Sequence, residues 1–140
     1  MGKRKEIEVL ARGVCVNRGR LLICHTKGAE NTYLPGGHVE FGELAKQSLE
    51  RELKEELGVR SKVGRFLGVV EHSFRQKGKK HCEINLVFEV EIKGLNVSRS
   101  PESKEDYIEF KWVPMSRLGS SRIEPAVLKK FLPSWLGWKK

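Results

Sequence analysis

Cysteine is scarce and unpaired in this chain: Cys15, Cys24 and Cys82 are widely separated, and no two of them form a C-x-x-C pair. An odd number of scattered thiols excludes a disulfide framework, and without paired spacing they signal no zinc site. Each reads instead as a small buried hydrophobe. His25, His38, His72 and His81 likewise lack metal-ligand spacing, which leaves them structural or surface roles. No P-loop and no G-x-G-x-x-G occurs, which removes those two nucleotide sites. Long apolar runs are missing too. The start, MGKRKEIEVL, is basic and then alternating, unlike a secretion signal or a membrane span, so a cytoplasmic protein with no membrane attachment is expected.

Acidic residues are the minority charge, with 18 Asp and Glu against 27 Lys and Arg, a formal net charge of +9. Such an excess attracts anionic partners and raises their local concentration. With 140 residues, 39% of them hydrophobic, the chain can bury one substantial core, and a single domain over residues 1–140 is expected. Against the basic background, residues 36–59, GGHVEFGELAKQSLERELKEELGV, gather Glu40, Glu43, Glu50, Glu52, Glu55 and Glu56.

Around that segment the elements follow from local pattern. Residues 7–16 and 20–25 carry β-branched and apolar runs on either side of Asn17-Arg18-Gly19, a turn signal, and predict a hairpin. Pro35-Gly36-Gly37 is a turn. Residues 43–57 hold no Gly or Pro and are rich in Leu, Ala, Glu and Lys, so a helix is predicted, stopped by Gly58. Strands are predicted over 64–74 and 81–92, flanking the basic turn RQKGKK at 75–80. Residues 95–106 read as a loop, 107–113 as a strand, and 124–132 as a closing helix with Pro125 in its first turn. Strands, helix, strands, helix in that order predict an α/β (α+β) arrangement, a mixed sheet with helices packed on it.

On a helical wheel with Ala45 at zero, Ala45, Leu49, Leu53 and Leu57 fall at about 0°, 40°, 80° and 120°, the buried stripe. Glu52 falls at about 340° and Glu56 at about 20°, bordering or entering that stripe, and Glu55 falls at about 280°. Glutamate is rarely buried without a proton, an arginine or a cation beside it. Arg51 is close in sequence, but one positive charge does not neutralise three carboxylates. Crowded hard oxygens suit Mg²⁺, with Mn²⁺ as a substitute. The same letters also fit a solvated, charge-rich helix.

Spacing across the whole segment separates these readings. Gly37, five residues, Glu43, seven residues, Arg51-Glu52-Leu53, one residue, Glu55-Glu56, one residue, Gly58-Val59 resembles a complete Nudix box, G-x5-E-x7-R-E-U-x-E-E-x-G-U with U aliphatic. Every specified position matches, a coincidence on the order of one in ten million for this chain at ordinary residue frequencies. YLPGGHVEFGE, EHSF, HCEINLVFEV and EFKWVP extend the resemblance to about residue 118.

The resemblance implies a Nudix-type α/β/α sandwich with a central mixed β-sheet and a loop-helix-loop at the site. It implies divalent-cation-dependent hydrolysis of the diphosphate bond in a nucleoside diphosphate linked to another moiety: an NTP or dNTP, a nucleotide sugar such as ADP-ribose, or a dinucleoside polyphosphate. Carried over by position, Glu52, Glu55, Glu56 and the carbonyl of Gly36 become metal ligands. Gly37, Glu43 and Gly58 become supports, and Arg51, which orients the glutamates, joins Glu52 and Glu105 in the catalytic set. Glu52 and Glu105 are the competing bases; Glu105 is placed by its distance before Trp112. Two other readings accompany this one. The first is a nucleotide-binding module without turnover. The second is an RNA 5′-end pyrophosphohydrolase whose RQKGKK turn tracks phosphates, against which stands the plainer reading of a charged, soluble hairpin tip. Trp135 and Trp138 in SWLGWKK read as packing or as a homodimer contact. No signature identifies the substrate-binding residues.

Overall fold

The computed structural model describes residues 5–138, so the first four residues of the basic start and the final two lysines lie outside it. Strand β1 (Glu8–Val14) is buried along most of its length, the pattern of a strand covered on both faces. It runs parallel to β6 (Lys79–Ile92), with Leu10 opposite Asn85, and antiparallel to the short β4 (Gly36–His38), with Leu10 opposite His38. The long β5 (Ser61–Gln76) closes that sheet antiparallel to β6, giving the mixed order β4-β1-β6-β5. A second, antiparallel sheet has the order β2-β3-β7, from Val16–Asn17, Arg20–Thr26 and Ile108–Pro114.

The predicted hairpin is therefore mostly broken. Val16 and Asn17 pair with β3, and the Cys15 carbonyl accepts the Leu22 N–H at 2.9 Å, across a two-residue turn in which Arg18 (φ 50°) and Gly19 (φ 74°) both take positive φ. The chain breaks at buried Cys15, and β1 belongs to the other sheet. Its apolar residues are satisfied by a parallel partner from the far half of the chain, as the pairing of Leu10 with Asn85 shows, and local alternation does not reveal such a pairing.

Helix α1 (Ala45–Leu57) begins two residues later than predicted because Glu43 lies outside it and accepts the Glu40 N–H at 3.1 Å. The Gln47 side chain accepts the Leu44 N–H at 3.0 Å, and Gly58 at φ 69° ends the helix with its N–H on the Lys54 carbonyl. The tip of the β5–β6 hairpin is Lys77-Gly78, both at positive φ, where RQKGKK predicts a turn. Helix α2 (Leu128–Leu136) starts four residues after the predicted 124 and continues through Pro133. Ile123 bridges to Thr32 and the Glu124 N–H donates to the Thr32 carbonyl at 2.7 Å, after which residues 125–128 form a turn, closed by the Leu128 N–H on the Pro125 carbonyl, that leads into the helix.

Two apolar cores result. Leu49, Leu53 and Leu57 of α1 pack with Leu22, Phe88 and Phe110; on the opposite side Leu128 and Leu132 of α2 pack with Leu21, Ile23, Val70 and Val87. The layers are helix, sheets, helix, as expected. Cys15 and Cys24 are buried as read, whereas Cys82 is only half-buried. Trp135 packs on Gly68 and stacks with Phe131. No helix among the described residues is long and apolar enough to cross a membrane.

Candidate functional site

Two adjacent glycines bring backbone against the glutamate edge of α1. Gly36 has φ 140°, and a Cβ there would collide with the Ala11 carbonyl of β1. At Gly37 a Cβ would stand 2.7 Å from both carboxylate oxygens of Glu52, so the β4 backbone lies directly on that side chain. The Ser48 hydroxyl and Arg51 Nη2 both donate to the His38 carbonyl, at 3.1 and 3.3 Å, which fastens the loop to the helix. On the other side of β4 the Glu8 carboxylate sits 2.8 Å from both His38 Nε2 and His81 Nδ1, tying three strands together. These histidines take the structural role expected of them.

Arg51 is the hub of the edge. Its Nε and Nη2 grip Glu43 at 2.7 and 3.0 Å, while Nη1 reaches Glu52 at 3.1 Å and Glu55 at 3.3 Å. The guanidinium fork thus serves three carboxylates at once, more than a count of charges allows it. The Arg51 hydrogen bond is the main reason Glu43 titrates far down, at about 2. Burial pushes Glu52 upward, and the charge of Arg51 opposes that shift.

Glu56 is left out of this network. It is 4% exposed, and its Oε1 is buried with no hydrogen-bond partner. Burial first, and then the neighbouring Glu52 charge, push its pKa up to about 8; the Arg12 charge and the Gly36 N–H work the other way. The loop of residues 95–106 docks beside it, with the Lys104 N–H donating to the Glu56 carbonyl at 2.7 Å. Ser103 Oγ accepts the Glu105 N–H at 3.0 Å and pins that residue, whose charge also raises the Glu56 pKa. The structure therefore brings Glu43, Arg51, Glu52, Glu55 and Glu56 to one edge, sets Gly36 and Gly37 against it, and keeps Glu105 within electrostatic range. Gly58, the remaining support, faces the Lys104 side chain.

Among the described residues no three His, Cys, Asp or Glu side chains converge closely enough to hold a metal ion, and Glu52 and Glu55 are both bonded to Arg51. The donor chemistry nevertheless fits a hard divalent cation: oxygens alone, one of them buried and unpartnered, beside glycine backbone that no side chain blocks.

A cavity of ≈ 610 Å³ opens on the other face of the first sheet. It takes Arg12 from β1, Thr32 and Tyr33 from the segment before β4, His72 and Phe74 from β5, and Asn85 from β6. Arg12 Nε donates to Asn85 Oδ1 at 3.2 Å and Nη1 to the Leu34 carbonyl at 3.1 Å, with the guanidinium 5.4 Å over the Tyr33 ring. His72 lies 3.7 Å from Glu83 and from Glu124. Sequence reading missed these residues, which are scattered over most of the chain. One signal was there: Val87 is apolar in the row that alternates with Leu86, Phe88 and Val90, as a strand covered on both faces allows, and the structure buries it together with Asn85.

A family model described as NUDIX domain matches residues 7–135. Among curated proteins, an ADP-ribose pyrophosphatase of Methanocaldococcus jannaschii is 36% identical over 72 residues, covering 51% of this chain and 41% of that protein. A second curated relative, from Mycobacterium tuberculosis, is 36% identical over 88 residues, 62% of this chain and 34% of its own length, so the chain spans well under half of either. In solved structures the same fold recurs in a MutT protein from Methanosarcina mazei Go1, with TM-score 0.70, 24% identity and 97% coverage of each chain. It recurs again in a MutT NUDIX hydrolase from Burkholderia pseudomallei, with TM-score 0.66, 24% identity, and coverage of 80% of this chain and 86% of that one. A family match over nearly the whole described length places this chain in the NUDIX domain family.

Proposed function

We propose that the chain is a divalent-cation-dependent pyrophosphohydrolase acting on a nucleoside diphosphate linked to a further group. The observation that carries this reading is Glu56: a carboxylate sealed from water, one oxygen unpartnered, on the helical edge that also presents Glu52 and Glu55. Glu52, Glu55, Glu56 and the Gly36 carbonyl would hold Mg²⁺ or Mn²⁺. When bound, such a cation offsets phosphate charge and makes a coordinated water more acidic.

The chain's own residues do the rest. Glu43 grips Arg51 through a bidentate pair and Arg51 in turn bonds Glu52, so the guanidinium is held in place among the carboxylates of the edge. Glu52 and Glu105 are the two carboxylates available to accept a proton from the attacking water, one on the helix and one on a pinned loop. The cavity beyond Arg12 has the size and the mix of aromatic and polar walls that a nucleoside requires. The name of one relative supplies the first candidate, ADP-ribose, from the M. jannaschii pyrophosphatase; nucleoside triphosphates follow from the resemblance of residues 37–59 to the Nudix box.

The test is release of phosphate or pyrophosphate from a panel of dNTPs, ADP-ribose, dinucleoside polyphosphates and 5′-triphosphorylated RNA. Wild type should turn over at least one of these with Mg²⁺ and lose that activity in EDTA. Glu56→Gln should keep the circular dichroism spectrum and lose roughly a thousandfold or more of the rate, the scale on which a transition-state charge stabiliser acts. An unchanged rate in that variant refutes its assignment.

A further inference from the structure

Arg12 is a half-buried cation with no acid of its own. Both of its hydrogen-bond acceptors, the Asn85 amide oxygen and the Leu34 carbonyl, are neutral, and its face is covered by the Tyr33 ring. Among the described residues no carboxylate forms an ion pair with it. Desolvating a guanidinium against neutral partners is costly unless an anion arrives to complete the site. Its Nη2 is the nitrogen left without an acceptor among the described residues.

Its position selects which anion. Arg12 stands opposite Gly36 in the β1–β4 register, and its charge acts on Glu56, so it lies where the cavity meets the glutamate edge. In the same cavity wall Thr32 is 2% exposed, with its hydroxyl buried and unpartnered, a second polar group there without a protein partner. Asn85, itself 3% exposed and donating to the Val70 carbonyl at 3.3 Å, locks the guanidinium in place.

We infer that Arg12 is the receptor for the substrate phosphate joined directly to the nucleoside, its guanidinium bonding the non-bridging oxygens while the nucleoside fills the cavity. A planar fork fits that group better than a point charge. This rests on the reading of the cavity and glutamate edge given above. The rival is a strut that merely joins β1 to β6 and to the segment before β4.

Binding measured without turnover separates the two. In EDTA at low ionic strength, calorimetry compares AMP, GMP, CMP and UMP with the matching nucleosides. Wild type should bind at least one monophosphate ten times or more tightly than its nucleoside. In Arg12→Gln that ratio should fall to within twofold of unity. Should Arg12→Gln fail to fold, Arg12→Lys carries the test, with a ratio at least threefold below wild type. A strut predicts lower thermal stability with the ratio intact in whichever variant folds; that result, or a wild type indifferent to the phosphate, overturns the proposal. Loss of the hydrolase reading would show separately, as a wild type that releases no phosphate from any substrate in Mg²⁺.

Discussion

A carboxylate held out of water beside two others stores an unfavourable interaction that something must relieve, and at Glu56 a proton does so in the metal-free protein. Its pKa is raised from 4.5 to about 8, chiefly by burial. Between those values the folded state binds more protons than the unfolded state, so unfolding free energy falls as pH rises from about 4.5 through about 8. Glu52, also raised by burial, adds with the same sign. Glu43 and Glu8, whose pKa values are lowered, act only as pH falls below the usual carboxylate range. Urea unfolding in EDTA from pH 5 to 8.5 should therefore show a loss on the order of a few kcal/mol. Glu56→Gln should flatten that slope and be the more stable protein at pH 8. A wild-type curve that is level or rises across the window contradicts the burial of an unpaired acid.

At the level of elements, α1 is the part of the molecule most open to sequence reading, because everything that defines it is local. Its leucine stripe repeats every four residues, its stop is Gly58, and Glu52 and Glu56 fall beside the stripe by rotation alone. What the letters do not convey is how Arg51 divides itself, since the donation to Glu43 depends on the preceding loop folding back along the helix. The two glycines before the helix give a contrast worth measuring. Gly37→Ala places a methyl against the end of a side chain, Glu52, which can shift; turnover should fall about a hundredfold with the melting temperature nearly kept. Gly36→Ala drives a methyl into the Ala11 backbone at a φ of 140°, so the same methyl should cost roughly 3 kcal/mol or more of stability. Equal thermal stability in the two variants would mean that the glycine pair does not press on sheet and helix as described.

For the molecule as a whole, what escapes the sequence is long-range. The parallel β1–β6 pairing joins stretches from opposite halves of the chain, and it places Arg12 and Asn85 on one face while Ala11 and Leu86 serve the other. Because a hairpin is the nearest partner that local alternation offers, sequence pattern assigns β1 to the wrong sheet and leaves the cavity behind it unseen. The start of α2 is misplaced for a similar reason: Ile123 pairs with Thr32, far away in sequence, and a turn over residues 125–128 intervenes before the helix. The resulting layout sets the cavity that Arg12 lines and an acidic helical edge on adjoining surfaces, in a chain whose net charge is otherwise +9. The most direct check on that central claim is electron paramagnetic resonance of Mn²⁺ titrated into wild type and Glu56→Gln at pH 8. The account predicts saturable binding to wild type, weakened at least tenfold in the variant; equal affinity in both, or no binding to either, would contradict it.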